Sequence, residues 1–403
     1  MVTKALKYNL VITLLFLILE SLSAGLQFSN RGGSIFIMPS GRLYLGETDS
    51  IQGWSRESIV QTAGNDAPRK WDPSWVGPTN VLYQQAPVQD LPENPGDITL
   101  QTYYYELKNN LALGPNRHLI IKSTPDTNYT YIQGNGYQIS LAEGFQNLFQ
   151  VDPGHRVDIE NVVFINYDEN SLYLPAGSSL YFLNSTIEFT DNRTLTLPLN
   201  LAGTVVINGY GYTLSFDPGG SLNITSGFLS INNQVLFGLA NSNLRCTNQS
   251  STMFLQNCDL VLTDTYVFRD GGLITQNSKI SGFNTFSYES AQTFTVNRQL
   301  LLDSGVTFSY SPIVAKNNLI ELASDSSIYM NGSTLKTTTT GLQLTKGTLI
   351  IDNQNQMYND GATSLSEAIW WGNGNAADNL KIEILPGANL DLMSGILVYN
   401  NTD

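Results

Sequence analysis

The sequence predicts an all-β fold, a single-stranded parallel β-helix whose stacked coils follow an N-terminal capping segment. Three observations predict it. A unit of proline, glycine, apolar-x-apolar and a small polar residue recurs along the chain. Its first apolar positions are spaced at one or two steps of about twenty residues, the range of solenoid repeats. Charged residues make up only 13% of the chain, which excludes a coiled coil and a charge-expanded disordered protein.

Taken in order, residues 1–24 read as a secretory signal peptide. Lys4 and Lys7 precede an apolar run from Leu10 to Leu19, and Ser21, Ser23 and Ala24 follow. The run is about half of the ~20 residues that span a bilayer, so no transmembrane segment is expected after cleavage. The mature chain is expected to be secreted or at the cell surface, extracellular or outer-membrane-associated, with the periplasm as a further possibility. Residues 25–97 form the second element. Pro39, Gly41, Leu43 and Leu45 copy the repeat once, and a proline-rich stretch with Trp54, Trp71 and Trp75 then interrupts it. A solenoid needs its first open edge shielded, so a cap or insertion is expected here. Trp71 and Trp75 are candidate ligand-binding residues, for sugar or partner.

Residues 98–403 form the repeat array. The unit appears as Pro153, Gly154, Val157, Ile159, Asn161, as Pro175, Gly177, Leu180, Phe182, Asn184, as Pro218, Gly219, Leu222, Ile224, Ser226, and as Pro386, Gly387, Leu390, Leu392, Ser394. Val157 and Leu180 lie 23 residues apart, Leu180 and Leu222 42, Leu222 and Leu260 38, Leu349 and Leu390 41. Proline presets φ and glycine accepts φ above zero, which makes a tight turn. Apolar-x-apolar is the two-residue period of a strand with one buried face. An Asn, Ser or Asp after it bonds its own backbone and tolerates a left-handed conformation, which makes a corner. At ~21 residues per coil, on the order of fourteen coils are expected. Phe164, Phe182, Phe254 and Phe286 are expected in interior stacks, and abundant asparagine suits corner ladders in which amides bond from layer to layer. A second excursion is expected from Asp352 to Asn379. It includes a short helical turn within Ser364–Trp371, and Trp370 and Trp371 are further candidates for binding a sugar ring.

A second motif runs Ile132, Gln133, Gly134, Asn135, Gly136, Tyr137, Gln138, Ile139 and returns as Ile207, Asn208, Gly209, Tyr210, Gly211, Tyr212, Thr213, Leu214. It recurs and no helix follows it, which excludes a dinucleotide-binding loop. In these segments the chain resembles the pectin-lyase-like superfamily of right-handed parallel β-helices, over about Ile98 to the C-terminus. That resemblance implies a right-handed helix. Enzymes of the superfamily act mostly on acidic polysaccharides. The lyases use calcium-binding acids with an arginine or lysine base, and the hydrolases use neighbouring aspartates with Gly-His-Gly and Arg-x-Lys. None of those signatures occurs here.

The residue inventory restricts chemistry further. His118 and His155 are the only histidines, which limits acid-base and metal-ligand options, and no cofactor, metal site or catalytic residue is assigned. Asp152, His155, Arg156, Asp158 and Glu160 form the densest ionisable cluster; alternation puts Asp158 and Glu160 on a solvated outer face. Asp264, Arg269 and Asp270 make a weaker group. On this reading Gly136→Val or Gly211→Val damages folding more than any single change of Asp158, Glu160 or Arg269. Cys246 and Cys258 read as two separate buried thiols. The net charge of −14 repels nucleic acid and anionic membranes, so no nucleic-acid partner is expected, and it disfavours anionic polysaccharide.

The function expected is a non-catalytic secreted or surface scaffold, as in β-helical adhesins and autotransporter passengers, whose partner is a glycan or a cell-surface protein. A β-helical polysaccharide lyase or glycoside hydrolase is one alternative. An envelope or coat component that assembles end to end is the other.

Overall fold

The structure, a computed structural model, describes residues 96–101, 104–123, 128–240, 243–312, 320–338, 341–378 and 380–401, together with the backbone of five short strands before residue 91. The signal segment 1–24, the early coil around Leu43 and the tryptophans Trp54, Trp71 and Trp75 lie outside the described residues. The chain divides into two units, 1–88 with 125–127 and 89–124 with 128–403. In the first, Gln27–Ser29 pairs with Ser50–Gln52 and Ile35–Ile37 with Ile59–Gln61, both parallel.

The second unit is a parallel β-solenoid of about 11 turns, and the chain is 58% strand and 3% helix, so the fold is all-β. Its strands pair in parallel from coil to coil, and most, such as Arg156–Glu160 and Ser327–Asn331, pair with both the coil before and the coil after. Apolar-x-apolar strands supply the interior columns. Ile132, Ile159, Phe182, Leu201 and Ile224 stand in register one above another. Around the perimeter Ile139, Phe164, Ile187, Ile207, Ile231 and Leu255 do the same. Further along, Tyr266, Phe286 and Phe308 stack at 5.2 and 5.6 Å, and Phe268, Tyr288 and Tyr310 at 5.6 and 6.1 Å. All these side chains are buried. Stacking identical faces every ~4.8 Å gives each side chain van der Waals partners above and below, which a lone coil lacks.

Corners follow the asparagine rule. Asn161 (φ 55°) and Asn184 (φ 47°) begin one column that Gly203 and Gly227 continue. Asn233, Asn257 and Asn277 form another, all near φ 50°, and Asn257 Nδ2 donates to Asn233 Oδ1 at 2.9 Å. On a third edge Asn353 donates to Asn331 (2.5 Å) and Asn331 to Asp303 (2.8 Å). A short carboxamide reaches the amide one layer away and makes the left-handed backbone cheap, so one residue type serves both needs.

Pro153–Gly154, Pro218–Gly219 and Pro386–Gly387 each form a tight turn, closed by His155 N to Asp152 O (3.2 Å), Gly220 N to Asp217 O (2.9 Å) and Ala388 N to Leu385 O (3.0 Å). The two Gly-x-Gly segments are built alike. Gly136 N donates to Asn161 O (2.7 Å) and Gly211 N to Asn233 O (2.6 Å), and both glycines have positive φ. Gly134 and Gly209 serve a different purpose. A Cβ at Gly134 would stand 2.5 Å from Asn161 O, and one at Gly209 2.1 Å from Gln234 Oε1. The first glycine therefore permits contact with the next coil, and the second permits the turn.

Three expectations change. The turns number about 11 rather than fourteen because several coils exceed ~21 residues: Leu111 faces Ile139, Gln299 faces Ser327 and Leu349 faces Ile382. The described part of that stretch, 352–378, belongs to the solenoid. Its strands Gln354–Asn359 and Ile369–Trp371 pair on both sides, with one 3₁₀ turn at Leu365–Glu367 between them. Its amide-rich exposed positions, Gln354 and Gln356, hide the alternation that buries Asn355 and Met357. Finally, Phe254 faces outward, half-buried against Phe228 at 6.3 Å, because its neighbours Met253 and Leu255 take the interior.

Candidate functional site

The acidic cluster is a structural knot. Strand Arg156–Glu160 turns Val157 and Ile159 inward and carries Asp158 and Glu160 on its outer side, as alternation requires. The expected solvation is absent: the two carboxylates are only 1% and 4% exposed, because side chains of adjacent coils cover them. Asp158 accepts from Arg156 Nε (2.8 Å), Arg156 Nη2 (3.0 Å) and the Tyr129 hydroxyl (2.9 Å). The guanidinium lies 4.0 Å from the Tyr181 ring centroid, so it is held by both charge and π face. Glu160 accepts from Asn184 Nδ2 at 2.8 Å and from the Tyr131 hydroxyl. Acids so fully engaged by protein donors serve cohesion between layers rather than proton transfer to a ligand.

His155 is separate from that knot and completely buried. Its Nδ1 lies 3.0 Å from Ser123 Oγ and its Nε2 3.0 Å from Thr130 Oγ1. Burial holds its pKa below the ordinary imidazole value, and the nearby Asp152 only partly offsets this. His118 stands 21 residues from Asp97 in sequence and bonds it at 2.6 Å through Nδ1.

The second ionisable group does not assemble. Asp264 caps the backbone N–H of Thr265, Arg269 pairs with Glu289 (3.2 Å) and Asp270 accepts from Gln249 Nε2 (2.6 Å). Among the described residues no three His, Cys, Asp or Glu side chains converge as a metal site requires. Cys246 and Cys258 are free and buried, and desolvation pushes both thiols up to about 12.

Trp370 and Trp371 share a strand but not a face. Ile369 and Trp371 pack on the core, while Trp370, between them, points away, its indole N–H donating to Leu365 O at 2.9 Å. The two rings therefore do not form one platform. The Trp371 indole N–H is buried without an acceptor.

A different surface has the form of a binding site. A groove of about 560 Å³ lies over the outer face of the strands Thr252–Gln256, Gly272–Ser281 and Phe294–Asp303. Its floor is Thr252, Gly272, Ile274 and Thr295, from three successive coils. Gly272 sits in register with Thr252 and supplies no side chain, which creates the depression. One wall is the turn Gln249–Ser251, held by Asn248 Oδ1, which accepts from Ser250 N and Oγ, each at 2.6 Å. The other is Gln292 and Thr293, held by Ser290 Oγ, which accepts from Gln292 N at 3.1 Å.

Among the described residues nothing lining the groove is ionisable. Ser251 Oγ, at its edge, is buried without a hydrogen-bond partner. Beside it on the same face lie Phe228, in register with Thr252, and Phe254, in register with Ile274. Sequence reasoning missed this surface. The signal was present in the neutral polar runs Gln249 to Thr252 and Gln292 to Thr293, and in a glycine at an outward position of a regular strand.

Among the described residues no helix is long and apolar enough to cross a membrane. The chain matches no protein-family model, no curated protein and no solved structure.

Proposed function

We propose that this chain is a non-catalytic, secreted or cell-surface β-helical scaffold, adhesin-like, that binds a neutral glycan of a host, neighbouring-cell or envelope surface. The Gly-Asn-Gly and Gly-Tyr-Gly coil openings support a place in the pectin-lyase-like superfamily. The observation that carries the ligand class is the groove: hydroxyls and amides from Gln249, Ser250, Thr252, Gln292, Thr293 and Thr295, no ionisable lining among the described residues, and two aromatic rings alongside. Sugars present hydroxyls and apolar C–H faces, which amides, hydroxyls and rings complement. The excess of 34 acidic over 20 basic residues opposes an anionic chain.

A panel of immobilised neutral and acidic polysaccharides tests the reading. Binding is expected for neutral members only. Gly272→Phe is expected to lose that binding with Tm unchanged, since a Cβ there meets nothing nearer than Thr252 Oγ1 at 3.4 Å and a larger ring fills the depression. Binding to none of the panel, or binding that survives Gly272→Phe, overturns the assignment. Release of shortened products from any polysaccharide favours the enzymatic alternative instead.

A further inference from the structure

Beside the groove runs a column of amides. Asn208, Asn232, Gln256, Gln276 and Asn297 stand in register on successive coils, each half-buried on the outer face. Two residues earlier on the same strands, and so on the same face, stand Val206, Ser230, Phe254, Ile274 and Thr295, of which the last two line the groove. Asn232 Nδ2 donates to Asn208 Oδ1 at 3.2 Å, whereas the carboxamides of Gln256, Gln276 and Asn297 bond no described residue. The strip is bounded by acids: Glu188 is in register with Asn208, and Glu321 with Thr295. Between them the surface has Phe254 and Ile274 at its centre, amides along one edge, and the groove hydroxyls of Thr252 and Thr293 along the other.

We propose that groove and amide column form one site for an extended β-1,4-linked neutral polysaccharide, laid along the stack of coils with the amides reading one hydroxyl edge. The proposal rests on the neutral-glycan reading of the groove and adds the linkage and length of the ligand. Coils repeat every ~4.8 Å, and a β-1,4-linked pyranose chain advances by about one coil per sugar. Such a chain is a flat ribbon, with C–H faces above and below and hydroxyls along both edges. Its face suits Phe254 and Ile274, while one edge meets an amide at every coil. Successive sugars are turned over, so each edge alternates in its hydroxyls, and a carboxamide serves both because it donates and accepts. An α-1,4-linked chain curls and leaves this register within a few sugars. The amide column spans ~19 Å, which accommodates about five sugars. Glu188 and Glu321 at its two ends disfavour uronic acids.

Titration calorimetry with β-1,4-linked oligomers of glucose, mannose and N-acetylglucosamine, from disaccharide to hexasaccharide, tests this. At least one series is expected to bind with an affinity that climbs with each sugar up to about five and then levels. Glucose oligomers with α-1,4 linkages are expected not to bind. Combining Gln256→Ala with Gln276→Ala is expected to weaken the pentasaccharide about tenfold with Tm unchanged, since neither carboxamide has a described partner to lose. Neutral oligomers that bind regardless of length or linkage, or a double variant that holds the pentasaccharide as tightly as the parent, overturn the extended site and leave the groove reading in place. Binding of no neutral oligomer by a parent chain shown by circular dichroism to be folded overturns both.

Discussion

His155 has no access to solvent, and two hydroxyls occupy its ring nitrogens. Its folded pKa is lowered, so over a window below the unfolded value of 6.5 the unfolded chain binds more protons than the folded one. Stability from this group is complete above about 6.5 and is lost as pH falls through the folded value. His155→Gln, which keeps one donor and one acceptor, is expected to flatten the fall in Tm between neutral pH and about pH 5. Parallel pH profiles for the two proteins would show that another group carries the acid sensitivity. Asp158 illustrates how burial reorders an expectation made from glycine geometry. Asp158→Ala leaves the Arg156 guanidinium on Tyr181 without its carboxylate, a loss of about 2–3 kcal/mol. Gly136→Val strains a φ of 80° where no atom lies within 4 Å of a Cβ, which costs about 1–2 kcal/mol. Arg269→Ala removes an exposed pair worth under ~1 kcal/mol. Urea unfolding is therefore expected to rank Asp158→Ala at or above Gly136→Val, with Arg269→Ala smallest, in contrast to the order that glycine geometry alone suggests.

Strands and corners differ in how openly the sequence declares them. Val157-x-Ile159 and Leu222-x-Ile224 read directly as inward pairs, because every solenoid strand repeats the same two-residue decision about which face is buried. Asn161, Asn184 and Asn233 read directly as corners, since few residues other than glycine accept their φ so cheaply. Phe254 does not read directly. Its hydrophobicity suggests the interior, and only the competing pair Met253 and Leu255 decides otherwise. The carboxylates Asp158 and Glu160 fail for a related reason. Alternation fixes the side of a strand, whereas burial on that side depends on Tyr129, Tyr131 and Asn184, which lie 24 to 29 residues away in sequence. The groove is the extreme case. It is defined by what Gly272 lacks and by two turns from different coils, so no single stretch of sequence contains it.

At the scale of the whole solenoid, each coil is stabilised only by the coils it touches, so local stability depends on position in the stack. Interior coils such as 272–310 bury Leu273, Phe286, Tyr288, Phe294 and Phe308 completely or nearly so and pair on both sides. In the coil 380–401, Ile384, Leu392 and Met393 are substantially exposed, and among the described residues its strands pair only with the preceding coil. Each apolar side chain left half in water forgoes part of the ~1.5–3 kcal/mol that full burial contributes. Opening free energies should therefore fall toward this coil. Amide hydrogen exchange followed by mass spectrometry is expected to show the slowest exchange in peptides from 272–310 and the fastest regular-strand exchange in 380–401. Uniform protection along the array would mean that the solenoid opens as one cooperative body. The nearest-neighbour account of its stability would then fail, even with every strand in its observed register.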